Sequence, residues 1–233
     1  MPEQKMGHTD ERALRGVILD LDGVLVTTDR FHYRAWKELA DELGMDFNED
    51  VNHRLRGVSR QQSLRNIYDH NRRPLPPDDV FNAQCERKNR RYVELVKTMS
   101  PADLLPGSVE LLEALRAAGI RCAVASASRN TPLVLELTGL RRYFDAVADG
   151  NDTSRSKPDP EVFLVAARRL GLRPEDCLGV EDAASGIEAI HNAGMVAVGI
   201  GGQARGAERV FASVAELSVE NLKAIFAGGM KRS

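Results

Sequence analysis

An α/β fold is what the sequence predicts, a parallel sheet as core with an all-helical cap inserted into it. Three observations lead there. The apolar run Val17-Ile18-Leu19 stops abruptly in acid at Asp20, and continuous runs of this kind suit a strand buried on both faces of a parallel sheet. From Asp29 to about Met99 the pattern is helical and polar, with no convincing strand. From Leu104 onward strand and helix patterns alternate with short turns, as in a sheet covered on both faces.

Taken in order, the first strand lies within 13–20. Phe31, Ala35, Trp36, Leu39, Ala40 and Leu43 then recur at spacings of four and three, one face of a helix with Asp29 as its N-cap and Gly44 just past its end. Ser59 followed by Gln62 reads as a capping box for a second helix. Arg73-Pro74-Leu75-Pro76-Pro77 is a break, and a long helix carrying Val80, Phe81, Tyr92, Val93 and Val96 follows. Beyond Leu104 the pattern predicts helix 108–118, strand 120–126, helix 131–138, strand 145–148, helix 160–170, strand 177–180, helix 183–193 and strand 196–200. Glycines at 119, 139, 171 and 194 stop the four helices. This is a Rossmann-like core over 13–27 and 104–228, with a cap domain over 28–103 above the sheet's carboxyl edge. The ends, through Arg12 and from Gly228, read as frayed.

Composition excludes several classes. The chain has 233 residues and is 42% hydrophobic, enough for a packed core. Lys plus Arg is 32 against 34 Asp plus Glu, so no basic excess points to nucleic acid or an anionic membrane. No apolar run reaches the roughly 18 residues of a membrane span, and the first fifteen residues carry no secretory h-region. Cys85, Cys122 and Cys177 are few, scattered and odd in number, which fits reduced thiols in a cytoplasmic protein. Oligomeric state is not readable, and a monomer is expected.

Three strands end in chemistry: Asp20-Leu21-Asp22-Gly23, Ser126-Ala127-Ser128 and Glu181-Asp182. Ligands of open α/β sheets bind outside the carboxyl ends of the strands. Asp20, Asp22, Glu181 and Asp182 are therefore expected to converge, with Ser126 beside them and Lys157 reaching the same rim. Crowded carboxylates repel and lose solvation. A divalent cation relieves that, and an oxygen-only donor set suits Mg²⁺ rather than zinc. Mg²⁺ favours phosphate oxygens, so the site is expected to handle a phosphoryl group. Ser126 can donate to it, and Lys157 supplies a positive charge. Read singly, each residue is bland: an Asp after a strand is a turn residue, Ser126 a cap, Lys157 part of a solvated loop. The force lies in their shared placement at strand ends.

Asp20-Leu21-Asp22-Gly23-Val24-Leu25 resembles the first motif of the haloacid-dehalogenase-like superfamily, with Ser126, Lys157 and Glu181-Asp182 where its other three motifs fall. Within it the chain is most similar to the β-phosphoglucomutases, through FHYRAWKELADELG, RLRGVSRQQSL, RKNRRYVELV, SPADLLPG, VASASRN and GVEDAASGIEAI. The resemblance implies a mutase interconverting β-glucose 1-phosphate and glucose 6-phosphate through a bisphosphorylated sugar. It makes Asp20 the nucleophile that carries an aspartyl phosphate and Asp22 the general acid/base. It assigns Mg²⁺ to Asp20, Glu181, Asp182 and the Asp22 backbone carbonyl, and the transferring phosphoryl group to Ser126 and Lys157. Arg60, Ser128, Arg129 and Asn130 would hold the phosphate that is not reacting. His32 and Lys88 would help place the sugar or Asp22, and Thr28 would sit at the hinge.

Bland readings stand beside these. Lys88 lies in the run Glu86-Arg87-Lys88-Asn89-Arg90-Arg91, on composition a solvated helix face. His32 could be an ordinary half-buried histidine. Trp36 reads first as helix core and second as a platform for the sugar. Arg60 opens a helix, where a cation is not favoured, which suggests another task such as facing an anion. The family carries an acid where Thr27 stands and lysine where Arg129 stands. A phosphatase of the same fold, acting on a sugar phosphate or other small phosphoester, remains open, as does an inactive phosphate-binding protein. A dehalogenase would have little use for Asp22 or the Glu181-Asp182 pair, and a phosphonate hydrolase would lack the acid at Asp22.

Overall fold

The computed structural model describes residues 13–55 and 58–229. The frayed tail expected through Arg12 lies outside them, as do Arg56 and Gly57 within RLRGVSRQQSL. Six parallel strands form one sheet: β1 (Gly16–Leu19), β2 (Arg121–Ala125), β3 (Ala146–Ala148), β4 (Cys177–Glu181), β5 (Val196–Ile200) and β6 (Arg209–Phe211). Their order is β3-β2-β1-β4-β5-β6. Strands are added to one side of β1 as far as β3 and to its other side from β4 onward, and ligand crevices open at such switch points. In register, Leu19 lies beside Val180, so Asp20 and Glu181 emerge side by side.

The apolar run of β1 has a two-sided explanation. Val17 and Leu19 join one apolar cluster, with side chains of α5 (Ser108–Ala117), α6 (Thr131–Leu137) and α9 (Val219–Gly229). Ile18 joins another, with α7 (Glu161–Leu170) and α8 (Ala184–Asn192). Alternate side chains of a strand point to opposite faces, so both must be apolar. Full burial of one such side chain contributes about 1.5–3 kcal/mol.

Between β1 and β2 the chain forms α1 (Asp29–Glu42), α2 (Glu49–His53), α3 (Arg60–His70) and α4 (Asp78–Val96). This inserted helical cap has its own apolar cluster, including Trp36, Leu39, Phe47, Leu64, Ile67 and Phe81.

Several details correct the sequence reading. Thr28, not Asp29, is the N-cap of α1; its hydroxyl is spent elsewhere and makes no cap bond, while Asp29 opens the helix, where an acid suits the dipole. Ser59 does cap α3, accepting from the Gln62 N–H at 3.3 Å, but the Gln62 side chain donates to Asn66 Oδ1 instead of closing a capping box. Helix α2 and strand β6 were not anticipated, both being too short to show a period. Gly228 and Gly229 close α9 rather than fraying; the rest of that expected frayed end, 230–233, lies outside the described residues.

Candidate active site

The acidic rim is built by adjacent strands. Asp20 follows β1, Glu181 ends β4, and one carboxylate oxygen each of Asp20, Glu181 and Asp182 lies within 4.8 Å of the others. Two glycines make this approach possible. A Cβ on Gly23, which sits at φ +83°, would stand 2.1 Å from Asp182 Oδ2, and one on Gly186 would stand 2.1 Å from the Glu181 carboxyl carbon. Real Cβ atoms do not approach so closely, so both carboxylates depend on a missing side chain.

Lys157 enters this cluster from the loop before α7. Its Nζ donates to Asp20 Oδ1 at 2.6 Å, to Glu181 Oε2 at 2.8 Å and to the Ala125 carbonyl at 3.2 Å. Burial alone would lower its pKa, but Asp20 and Glu181 outweigh that and hold it above the ordinary lysine range. Glu181, fully buried, is pushed up to about 8, by burial first and by Asp20 next, with Lys157 opposing. One ammonium faces three carboxylates, so the set carries excess negative charge in a desolvated place. Its donors are all oxygens, and a hard divalent cation fits.

Asp22 does not bring its carboxylate to this cluster. Its oxygens accept from the Thr28 N–H at 2.6 Å and the Thr28 hydroxyl at 2.5 Å. The expected convergence of four carboxylates is thus a convergence of three, with the fourth held at the start of the cap. Half-buried and facing the cavity, Asp22 is pushed up to about 6, chiefly by burial; the two Thr28 bonds pull the other way, and Asp20 and Asp29 add to the rise. Such a group exchanges a proton near neutrality.

Cap and core enclose a cavity of about 710 Å³. Asp20, Asp22, Ser126, Lys157 and Asp182 face it from below; His32, Trp36, Arg60 and Lys88 face it from above, with Thr28 at the junction and Ser128, Arg129 and Asn130 along one wall. Glu181 lies behind this lining, bonded to Lys157. Ser126 Oγ accepts from the Ser128 N–H at 3.2 Å.

Lys88 is not on a solvated face. It is buried among Phe81, Cys85 and Tyr92, and the spacings of four, three and four that place it there were present in the sequence. Its Nζ lies 2.7 Å from His32 Nδ1, 4.5 Å from the Trp36 ring centre and 4.9 Å from that of Tyr92. His32 stacks on Tyr92 at 4.1 Å. Burial drives the pKa of Lys88 well below the lysine range, with Arg60 adding, and that of His32 well below its own, with Lys88 and then Arg60 adding. Trp36 is helix core, 2% exposed within the cap cluster, and it also borders the cavity. Arg60, mostly buried, pairs with Glu86 at 2.8 Å and lies close enough to Arg129 to feel its charge. Sequence reasoning missed Asn89, whose Oδ1 accepts from Asn130 Nδ2 at 2.9 Å, and Asn52, which donates to Asp29 at 2.9 Å.

A family model described as haloacid dehalogenase-like hydrolase matches residues 14–194. The chain belongs to that family. It is 40% identical over 212 residues, 90% of this chain and 94% of the other, to a β-phosphoglucomutase of Bacillus subtilis. It is 30% identical to a phosphorylated carbohydrates phosphatase of Thermotoga maritima, over 78% of this chain and 82% of that one. The crystal structure of a β-phosphoglucomutase from Clostridium difficile superposes with a TM-score of 0.90 at 34% identity, covering 94% of this chain and 100% of the other. Within the described residues, no helix is long and apolar enough to cross a membrane.

Proposed function

We propose that the protein is a Mg²⁺-dependent mutase that interconverts β-glucose 1-phosphate and glucose 6-phosphate through an aspartyl phosphate on Asp20 and a glucose 1,6-bisphosphate intermediate. It would act as a cytoplasmic monomer, with residues 28–103 as the cap. The observation that carries this reading is a second cationic anchor: Arg60 of the cap and Arg129 of the core border the same cavity as Asp20 and Lys157. A hydrolase needs to grip one phosphate. A mutase must hold a bisphosphate by the end that is not reacting, and a guanidinium fork suits that task.

Asp20, Glu181, Asp182 and the Asp22 main-chain carbonyl would hold Mg²⁺. When bound, the ion supplies neutralisation of charge on the transferring phosphoryl oxygens. The remaining work belongs to side chains. Lys157 balances charge at Asp20, and Ser126 donates to a phosphoryl oxygen. Asp22 as carboxylate takes the proton of the attacking sugar hydroxyl while the phosphoryl group leaves Asp20. After the bisphosphate has turned over, Asp22 as acid returns that proton to the leaving sugar oxygen while Asp20 is esterified again. Thr28 keeps Asp22 in place for both. Arg60, Arg129, Ser128 and Asn130 grip the distal phosphate, and Lys88, His32 and Trp36 bound the sugar. Closure of cap on core excludes water, so that the aspartyl phosphate meets a hydroxyl first.

The second reading is a sugar-phosphate phosphatase, favoured by the similarity to the Thermotoga enzyme and by a core that water could use equally well. One assay separates them: β-glucose 1-phosphate, Mg²⁺ and a trace of glucose 1,6-bisphosphate. Glucose 6-phosphate formed without inorganic phosphate supports the mutase; inorganic phosphate as main product replaces it with the phosphatase.

A further inference from the structure

Asn130 occupies the N-cap of α6, where an asparagine side chain ordinarily accepts a bond from its own helix. It makes no such bond. Its Nδ2 instead crosses to Oδ1 of Asn89 on α4, at 2.9 Å, joining a core loop directly to a cap helix. The core end of this link is anchored: the Asn130 N–H donates to Ser128 Oγ at 3.2 Å, and the Ser128 N–H to Ser126 Oγ at 3.2 Å. The cap end adjoins Lys88, whose Nζ is fixed between the Trp36 and Tyr92 rings. Nearby, Arg60 and Arg129 repel each other across the same gap. The Asn89–Asn130 bond supplies an uncharged polar contact between these two faces.

We propose that Asn89 is a positioning residue: its bond to Asn130 sets the register in which α4 lies over the core loop, and so sets whether the phosphoryl group on Asp20 meets a sugar hydroxyl or water. This rests on the mutase reading. Misplacement by about 1 Å costs on the order of 10²-fold in such transfers, so a bond that fixes α4 against the core loop bears directly on the outcome.

The test compares Asn89→Ala with Asn89→Asp, which keeps an acceptor oxygen for Asn130. Two measurements are made: the share of inorganic phosphate among products from saturating β-glucose 1-phosphate, and backbone hydrogen exchange over residues 88–92 and 126–131 without substrate. Asn89→Ala is expected to raise the phosphate share roughly tenfold and to speed exchange in both segments, with Asn89→Asp returning both toward the unaltered protein. Unchanged exchange, or faster exchange with an unchanged product share, overturns the proposal. Should the unaltered protein itself release mainly phosphate, the mutase reading fails separately. Exchange alone then judges the register: faster in Asn89→Ala and restored in Asn89→Asp supports it, and equal rates overturn it.

Discussion

Lys157 and Lys88 are equally hidden, each 3% exposed, yet their charges move in opposite directions. Lys157 has carboxylate oxygens at 2.6 and 2.8 Å and is held firmly protonated. Lys88 is reached by an imidazole nitrogen and two aromatic faces, and burial drives it toward the neutral amine. The same side chain at the same depth becomes a permanent counter-charge on the core side and a desolvated, proton-shedding amine on the cap side. The difference lies in what the two regions must do. The core rim carries its charges whether or not substrate is bound; Lys157 balances part of them from within, and the carboxylate excess suits a divalent cation. On the cap wall burial makes both Lys88 and Arg60 lose protons more easily than usual, and only Arg60 has a carboxylate partner, Glu86. It is completed by an anion from outside, which a phosphorylated substrate brings.

The sharpest way to break this comparison is to remove the core nucleophile. Asp20→Asn is expected to lower turnover of both β-glucose 1-phosphate and an aryl phosphate by at least about 10³-fold; full activity in that variant would take Asp20 out of the chemistry.

Asp22→Asn should cost about 10²–10⁴-fold in isomerisation. Its stability has a defined sign as well. The folded pKa is raised from 3.8 to about 6, so this group's contribution to stability is present below pH 3.8 and is lost as pH rises through about 6. Asn mimics the protonated acid, so urea denaturation should show the variant gaining on the unaltered protein between pH 4 and 7. No change across that window would place Asp22 in a solvated setting.

Lys157→Met leaves two buried carboxylates without their cation and should cost about 3–5 kcal/mol in urea. Part of this should return on adding Mg²⁺, because ligand binding to the native state stabilises it. A loss below about 1 kcal/mol would mean the pair behaves like a surface bridge.

Arg60→Ala should reduce isomerisation by about 10²-fold while costing aryl phosphate hydrolysis about tenfold less; equal losses would count against a distal anchor. The smallest effect concerns Lys88. Its pKa is depressed in the folded state, so its stabilising contribution is present above the unfolded lysine value and lost as pH falls through the folded one. At neutral pH it opposes folding. Lys88→Met, similar in volume and uncharged, is expected to raise Tm by about 2–4 °C at pH 7, with the gain shrinking as pH rises. A lower Tm would show that the ammonium is well solvated.

Most of the sheet was legible because burial on both faces demands unbroken apolar runs such as Val17-Ile18-Leu19, and helices end at glycine. Strand β6 was not, because three residues, Arg209–Phe211, largely exposed at an edge, have no pattern to show. Lys88 shows the opposite failing: its spacing from Cys85 and Tyr92 places it on the buried face of α4, but a charged run outweighed the period. The Asp22 carboxylate was expected beside those of Asp20, Glu181 and Asp182 because all four stand at strand ends. Which way a side chain turns after a strand ends depends on what bonds it, and here that is Thr28.

By itself the sequence determined which residues are acids, bases and cations, and at which strand ends they stand, because periodicity and strand termini are local properties of the chain. Only the tertiary structure decided their charge states and partners. A pKa is set by atoms within a few ångströms, and Lys157 and Asp20 are brought that close across 137 residues of chain, a distance that no local pattern encodes.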